Sequence, residues 1–188
     1  MYSLLLQHIS RYVQLNEDEL HTFFNALELK KLRRHHFLLQ EGDICKRDYF
    51  VIKGGLRQYE TDKEGKERII HFGFENWWIT DRHSLITQTP SIYNIEALEH
   101  TEVLQINITT LKTLYDQIPR LERYFHLVLQ ESFALWQRRI LQLQKPAEEK
   151  YRAFQADYGA IEQRLPQQYI ASYLGITRET LSRIRSQQ

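Results

Sequence analysis

Between Pro119 and Pro146 the chain carries neither glycine nor proline. A stretch of that length without a breaker, following a region interrupted again and again by glycine-bearing turns, divides the chain into an extended part and a helical part. In the helical part Leu121, Phe125, Val128, Ser132, Leu135 and Arg139 recur at alternating spacings of four and three, which winds them onto one side of a single long helix. Pro119 can open that helix, because the N–H it lacks would be unpaired in the first turn, and Lys145-Pro146 ends it. Leu129, Trp136 and Leu143 broaden the apolar stripe beyond what a lone exposed helix carries. The stripe needs a partner, either the extended part of the chain or a second copy of itself.

The extended part runs from Phe37 to Ile108. Turn residues such as Glu41-Gly42-Asp43, Lys53-Gly54-Gly55 and Asp62-Lys63-Glu64-Gly65-Lys66 separate runs rich in β-branched and aromatic residues: Tyr49–Ile52, Leu56–Tyr59, Arg68–Phe72, Tyr93–Leu98 and Glu102–Ile106. Short strands so closely spaced predict a β-barrel or sandwich. Ahead of them Asn16 can cap a short amphipathic helix, with Glu17, Asp18 and Glu19 in its first turn and Leu20, Phe23, Phe24 and Leu27 on its apolar side. The basic run Lys30–His36 reads as a solvated face. Leu111, Leu114 and Tyr115 predict a brief helix ending near Pro119, and Ala147–Tyr158 another beyond the long one.

The last stretch, Leu165 to Gln188, carries the most function. Pro166 can open a helix in which Ile170, Ala171 and Leu174 face inward, Gly175 ends it, and Thr177 can cap a second helix reaching about Ser186. Two short helices joined by a glycine turn make a helix-turn-helix, and the small Ala171 lets them cross closely. At the helical period Leu181 and Ile184 fall on one side of the second helix, with Glu179, Ser182, Arg183 and Ser186 opposite and Arg178 at the edge. That polar face suits a DNA major groove, where arginine bonds guanine bidentately, glutamate accepts from the cytosine amino group and serine bonds either base or phosphate. Gln168 and Arg185 are candidate phosphate contacts.

The series Ile170-Ala171-Ser172-Tyr173-Leu174-Gly175-Ile176-Thr177-Arg178-Glu179-Thr180-Leu181-Ser182-Arg183 resembles the helix-turn-helix of the Crp/Fnr superfamily of transcription regulators. The resemblance implies base contact by Arg178, Glu179 and Arg183. It covers nearly the whole chain and implies an α+β architecture: a jelly-roll sensor barrel of the cyclic-nucleotide-binding type over 1–118, a dimerisation helix over 119–145, and a DNA-binding domain over 146–188. The stripe Leu121, Phe125, Val128, Ser132, Leu135, Arg139 is then the expected homodimer interface. The implied partners are a pseudo-palindromic DNA duplex, a second copy of the chain and RNA polymerase.

Departures from the family pattern are informative. Where cyclic-nucleotide-binding members carry a Gly-Glu pair for the ribose and an Arg followed by Ser or Thr for the phosphate, this chain has Thr80-Asp81 and Ser91-Ile92. A buried phosphate would lack its bidentate cation, so tight binding of cyclic AMP is not expected. Trp78, Asp81, Arg82, Ser91 and Tyr93 are left as the candidate lining of a pocket for another effector of unknown identity. The chain ends just after the second helix of the tail, so the β-hairpin wing that follows it in many relatives is not expected.

Composition narrows the remaining classes. Lys+Arg 25 against Asp+Glu 24 gives no overall attraction to nucleic acid or to a membrane, so any basic surface must be local. Cys45 is the one cysteine, which excludes an internal disulfide and a single-chain cluster built on several thiolates, and it reads as a structural thiol. His35 and His36 are adjacent and point opposite ways in a strand, and no His-x-His with a following acid occurs, so neither a metal site nor a cofactor is expected. Trp77 and Trp78, beside Phe72 and Phe74, can line a pocket or serve as packing, and aromatic residues more often serve burial. No nucleophile elbow, P-loop or dinucleotide fingerprint is present, and no enzyme activity is expected. Met1–Ile9 is a short apolar patch without a signal peptide's basic start, and a cytoplasmic location is expected. The alternative is a sensing module that signals through protein partners, against which Arg178, Glu179 and Arg183 argue.

Overall fold

The computed structural model describes residues 2–187; Met1 and Gln188, the outer ends of the apolar patch and of the tail read above, lie outside the described residues. The chain divides into two compact units. One comprises the chain up to Glu60 together with His71–Leu129, and the other Thr61–Ile70 together with Gln130 onward.

The first unit opens with α1 (Ser3–Ser10), the helix formed by the apolar patch at the start of the chain, and α2 (Glu17–Asn25). Asn16 caps α2 as expected: its side chain accepts from the Glu19 N–H, and the Glu19 carboxylate accepts from the Asn16 N–H, each at 2.8 Å. This reciprocal pair satisfies N–H groups that a helix start otherwise leaves open. The strands follow: β1 (Glu28–Leu32), β2 (Phe37–Leu39), β3 (Arg47–Lys53), β4 (Gly55–Thr61), β5 (Glu67–Phe74), β6 (Trp78–Ile79), β7 (Asn94–Ala97) and β8 (Thr101–Asn107). They form two four-stranded sheets, in the orders β1-β8-β3-β6 and β2-β7-β4-β5. The expected strands are all present. β1 is an addition inside the basic run, where Lys30 and Lys31 pair antiparallel with Val103 and Glu102 of β8.

Alternation along the strands explains the layering. Tyr49, Val51 and Val103 face a core between the sheets with Leu56, Ile95, Ala97 and Cys45. Phe50, Leu104 and Ile106, one residue out of phase, face the other way into a second core made with Leu5, Ile9, Phe23, Leu111, Leu114, Leu121 and Tyr124. Both faces of β3 and β8 are therefore covered, by the opposite sheet on one side and by helices on the other. The helices are α1, α2, α4 (Ile108–Gln117) and the first half of α5 (Pro119–Gln142); α3 (Arg82–Thr87) lies between β6 and β7. Leu121 is fully enclosed in this helix-side core, and Phe125 is half-buried against Phe23, Trp78, Tyr115 and Tyr124. Neither is open to a second chain in the way the four-and-three series suggested: on α5 the first turns are covered by the chain's own sheet and helices.

The second unit contains the remainder of α5, then α6 (Ala147–Tyr158), a 3-10 helix over Gly159–Arg164, α7 (Gln167–Leu174) and α8 (Arg178–Ser186). Its core is aromatic, with Phe154 stacked on Tyr158 at 5.1 Å and Tyr173 edge-on to both. The β4–β5 turn belongs to this unit. Ser172 of α7 donates to the Glu67 carbonyl at 2.9 Å and accepts from the Ile69 N–H at 3.0 Å.

Candidate nucleic-acid interface

Helix α7 ends where Gly175 turns left-handed, at φ 64. The Gly175 N–H then reaches the Ser172 carbonyl at 3.1 Å and the Ile176 N–H the Ala171 carbonyl at 3.0 Å. This is the Schellman arrangement, in which the reversed residue lets the last carbonyls of a helix find donors. Two residues later the Thr177 hydroxyl accepts from the Thr180 N–H at 3.2 Å and starts α8. Ile170, Ala171, Leu174, Leu181 and Ile184 are buried between the helices, as their spacing predicts.

That burial fixes what α8 presents. Arg178, Glu179, Ser182 and Arg183 are exposed, as is Gln168 on α7. Glu179 hydrogen-bonds its own backbone N–H and the Thr177 hydroxyl, and these hold its carboxyl below the usual range, so it remains an acceptor. Arg185 departs from the expectation of a phosphate contact. It is half-buried, donating to the Tyr151 hydroxyl at 3.0 Å and paired with the Glu162 carboxylate, so its charge is met inside the unit.

The stripe on α5 is also redrawn. Arg139 lies against Tyr173 of the same chain, and Ser132 is half-buried. The exposed apolar residues are Leu129, Phe133, Leu135, Trp136, Ile140, Leu141 and Leu143. Among them Leu129, Phe133, Trp136, Ile140 and Leu143 repeat at four and three. Phe133 and Ile140, at 63% and 58% exposure, belong to this series, which is phased one residue on from the series that starts at Leu121.

The candidate effector pocket does not assemble as one site. Asp81 caps α3 by accepting from the Ser84 N–H at 3.1 Å with one oxygen, and accepts the Ser91 hydroxyl at 2.6 Å with the other. Ser91 in turn accepts from the Tyr93 N–H at 3.0 Å, so these three residues meet. Arg82 instead donates to the buried carboxylate of Asp48 at 2.9 Å. Trp78 belongs to the helix-side core, where its indole N–H donates at 2.8 Å to the Tyr124 hydroxyl, which also bonds His8 Nδ1 at 2.8 Å. Cys45 is buried beside Thr80, and burial pushes its thiol up, away from the reactive thiolate.

A two-sheet domain carrying helices, followed by a helix-turn-helix with an exposed arginine-bearing face, has the build of a DNA-binding regulator. Comparison with known proteins agrees. Residues 29–117 match the cyclic nucleotide-binding domain family. The chain is 31% identical to a fumarate and nitrate reduction regulatory protein from Yersinia pestis, over 90% of this chain and 72% of that one. Among solved structures it resembles FixK2 from Bradyrhizobium japonicum, with a TM-score of 0.74 at 20% identity over 86% of this chain and 83% of that chain. It also resembles a transcriptional regulator of the crp/fnr family from Eubacterium rectale, with a TM-score of 0.68 at 20% identity over 92% and 83%. The chain belongs to the Crp/Fnr family and is a DNA-binding transcription regulator, not an enzyme. No helix among the described residues is long and apolar enough to cross a membrane.

Proposed function

We propose that the protein reads a pseudo-palindromic DNA site as a homodimer, with Arg178, Glu179, Ser182 and Arg183 at base edges in the major groove and Gln168 at a phosphate. The observation that carries this reading is the exposed face of α8, which presents two arginines and an ionised glutamate while its apolar face is buried. Arginine is the commonest reader of guanine, and a glutamate can accept only from an amino group such as that of cytosine. The second copy docks along Leu129, Phe133, Trp136, Ile140 and Leu143, whose exposed heptad spacing suits a two-helix seam. Two-fold dimers of this kind meet half-sites about one helical turn, roughly 34 Å, apart. The site of action is the cytoplasm, and RNA polymerase is the protein partner.

Cyclic AMP is not the effector, because Asp81 and Ser91 bond each other and no arginine stands at Ser91 to pair a phosphate. Any effector of the first unit must favour one arrangement of the DNA-reading heads over another to act at all. Selection of bound sequences from a random duplex pool tests the reading. The expected product is an inverted repeat enriched by the wild type and lost with Arg178→Ala, Arg183→Ala; enrichment of the same repeat by both proteins would exclude α8 as the reader.

A further inference from the structure

Arg185 lies on α8 but is turned into its own unit. Its Nε donates to the Tyr151 hydroxyl at 3.0 Å, its Nη2 reaches the Glu162 carboxylate, and the Tyr151 hydroxyl donates to that same carboxylate oxygen at 2.7 Å. The three groups close a ring, each touching the other two, with one member from α8, one from α6 and one from the 3-10 helix. The side chains of Arg185 and Glu162 are 30% and 12% exposed and Tyr151 is buried, so the ion pair is partly shielded from solvent.

Leu181 and Ile184 decide which face of α8 is buried, but apolar contacts are non-directional and set its roll less finely than a hydrogen-bonded fork does. A guanidinium held by two oxygens is directional. Arg178 precedes Arg185 by two helical turns, which places it within about 20° of the same line along the helix. A roll fixed at Arg185 is therefore the roll at Arg178, and with it the angle of Glu179 and Arg183.

We infer that Tyr151 and Glu162 are positioning residues for DNA reading: through Arg185 they set the angle at which Arg178, Glu179 and Arg183 meet the base edges. This rests on α8 being the reading helix. It also removes Arg185 from the phosphate contacts, so the two roles of this arginine make opposite forecasts.

The test uses the full-length protein and the duplex enriched by selection, with a scrambled duplex of equal length as reference, titrated across a salt series. Glu162→Gln, Tyr151→Phe and Arg185→Lys are compared with the wild type, and Arg185→Ala is added as the charge-free control; the lysine keeps the charge and loses the fork. The expected result is a preference for the enriched over the scrambled duplex reduced about tenfold by Glu162→Gln and by Arg185→Lys, less by Tyr151→Phe, as for a misplaced base contact. The slope of log affinity against log salt stays that of the wild type. Tighter binding of both duplexes by Glu162→Gln, or a slope reduced by about 0.9 in Arg185→Ala, would instead make Arg185 a phosphate contact restrained by Glu162 and overturn the inference. A lowered melting temperature with an unchanged preference would also overturn it, since it would leave the ring with a stabilising role alone. Preference lost in Arg178→Ala, Arg183→Ala but kept in all three ring variants refutes the positioning role only; preference kept in the double variant refutes the reading of α8 beneath it.

Discussion

The guanidinium carbon of Arg139 lies 3.4 Å from the ring centroid of Tyr173, and its Nη2 donates to the Tyr173 carbonyl at 3.0 Å. The last turns of α5 and α7 are joined by this contact within the second unit. Burial lowers the guanidinium below its usual range, and its ring and carbonyl contacts offset that cost. Arg139→Ala is expected to destabilise the unit by about 1–3 kcal/mol in thermal unfolding. Lysine should not restore it, because an ammonium cannot stack and donate in one plane. Light scattering should give an unchanged mass; a shift to monomer would return Arg139 to the surface between chains.

For the dimer, Phe133→Glu with Ile140→Glu puts two carboxylates on the exposed seam of α5. Burying them against a second helix would cost far more than the seam contributes, so the protein should run as a monomer in light scattering and keep its far-UV spectrum. Leu121→Glu should behave differently. Its side chain is enclosed in the helix-side core, so the variant should fail to fold rather than dissociate.

Glu96 supplies a pH signature in the first unit. Burial raises its carboxyl, but bonds from His35 at 2.5 Å, Arg57 at 2.7 Å and Tyr59 at 3.1 Å outweigh it and leave the carboxyl below its usual range. A carboxyl lowered by folding contributes stability that is present above its unfolded pKa and lost as pH falls through the folded value. Glu96→Gln should therefore lower the melting temperature clearly at about pH 7, a loss of about 3 kcal/mol for breaking a buried pair, and the gap should close below about pH 4. An equal gap at both ends of that range would contradict the ion-pair assignment.

Isothermal titration with cyclic AMP should give no heat of binding. Both oxygens of Asp81 already accept from Ser84 and Ser91, and the nearby Arg82 is bonded to Asp48. Sub-micromolar affinity would show that these bonds reorganise around a nucleotide.

The helix-turn-helix was legible because its determinants are local: a reversed glycine at 175, a capping threonine at 177, and buried positions within a few residues of each other. The strands were legible where β-branched runs were long. β1 was not, since its basic residues follow a solvated pattern and only pairing with β8, some seventy residues away, makes them a strand. Which side of α5 the chain leaves exposed is hard to read in the sequence for a related reason. Apolar residues occur on more than one side of that helix, and periodicity does not tell which side the chain covers itself; Leu121 and Phe125 went inward, leaving Phe133 and Ile140 outside. Arg185 carried no local signal at all, because Tyr151 and Glu162 approach it only in the folded unit. Trp78 and Arg82 look like pocket residues in sequence for the same reason: Tyr124 and Asp48, which occupy them, are distant in the chain.

The most direct test of base reading by α8 is a double-mutant cycle across the DNA interface. Arg183→Ala is combined in turn with replacement of each guanine in the selected half-site, and binding free energies are measured at one salt concentration. A bidentate contact requires a coupling of about 1–3 kcal/mol at one guanine and none at the others. Losses that simply add at every base would contradict contact between Arg183 and the base edges, and with it the central role given to this helix.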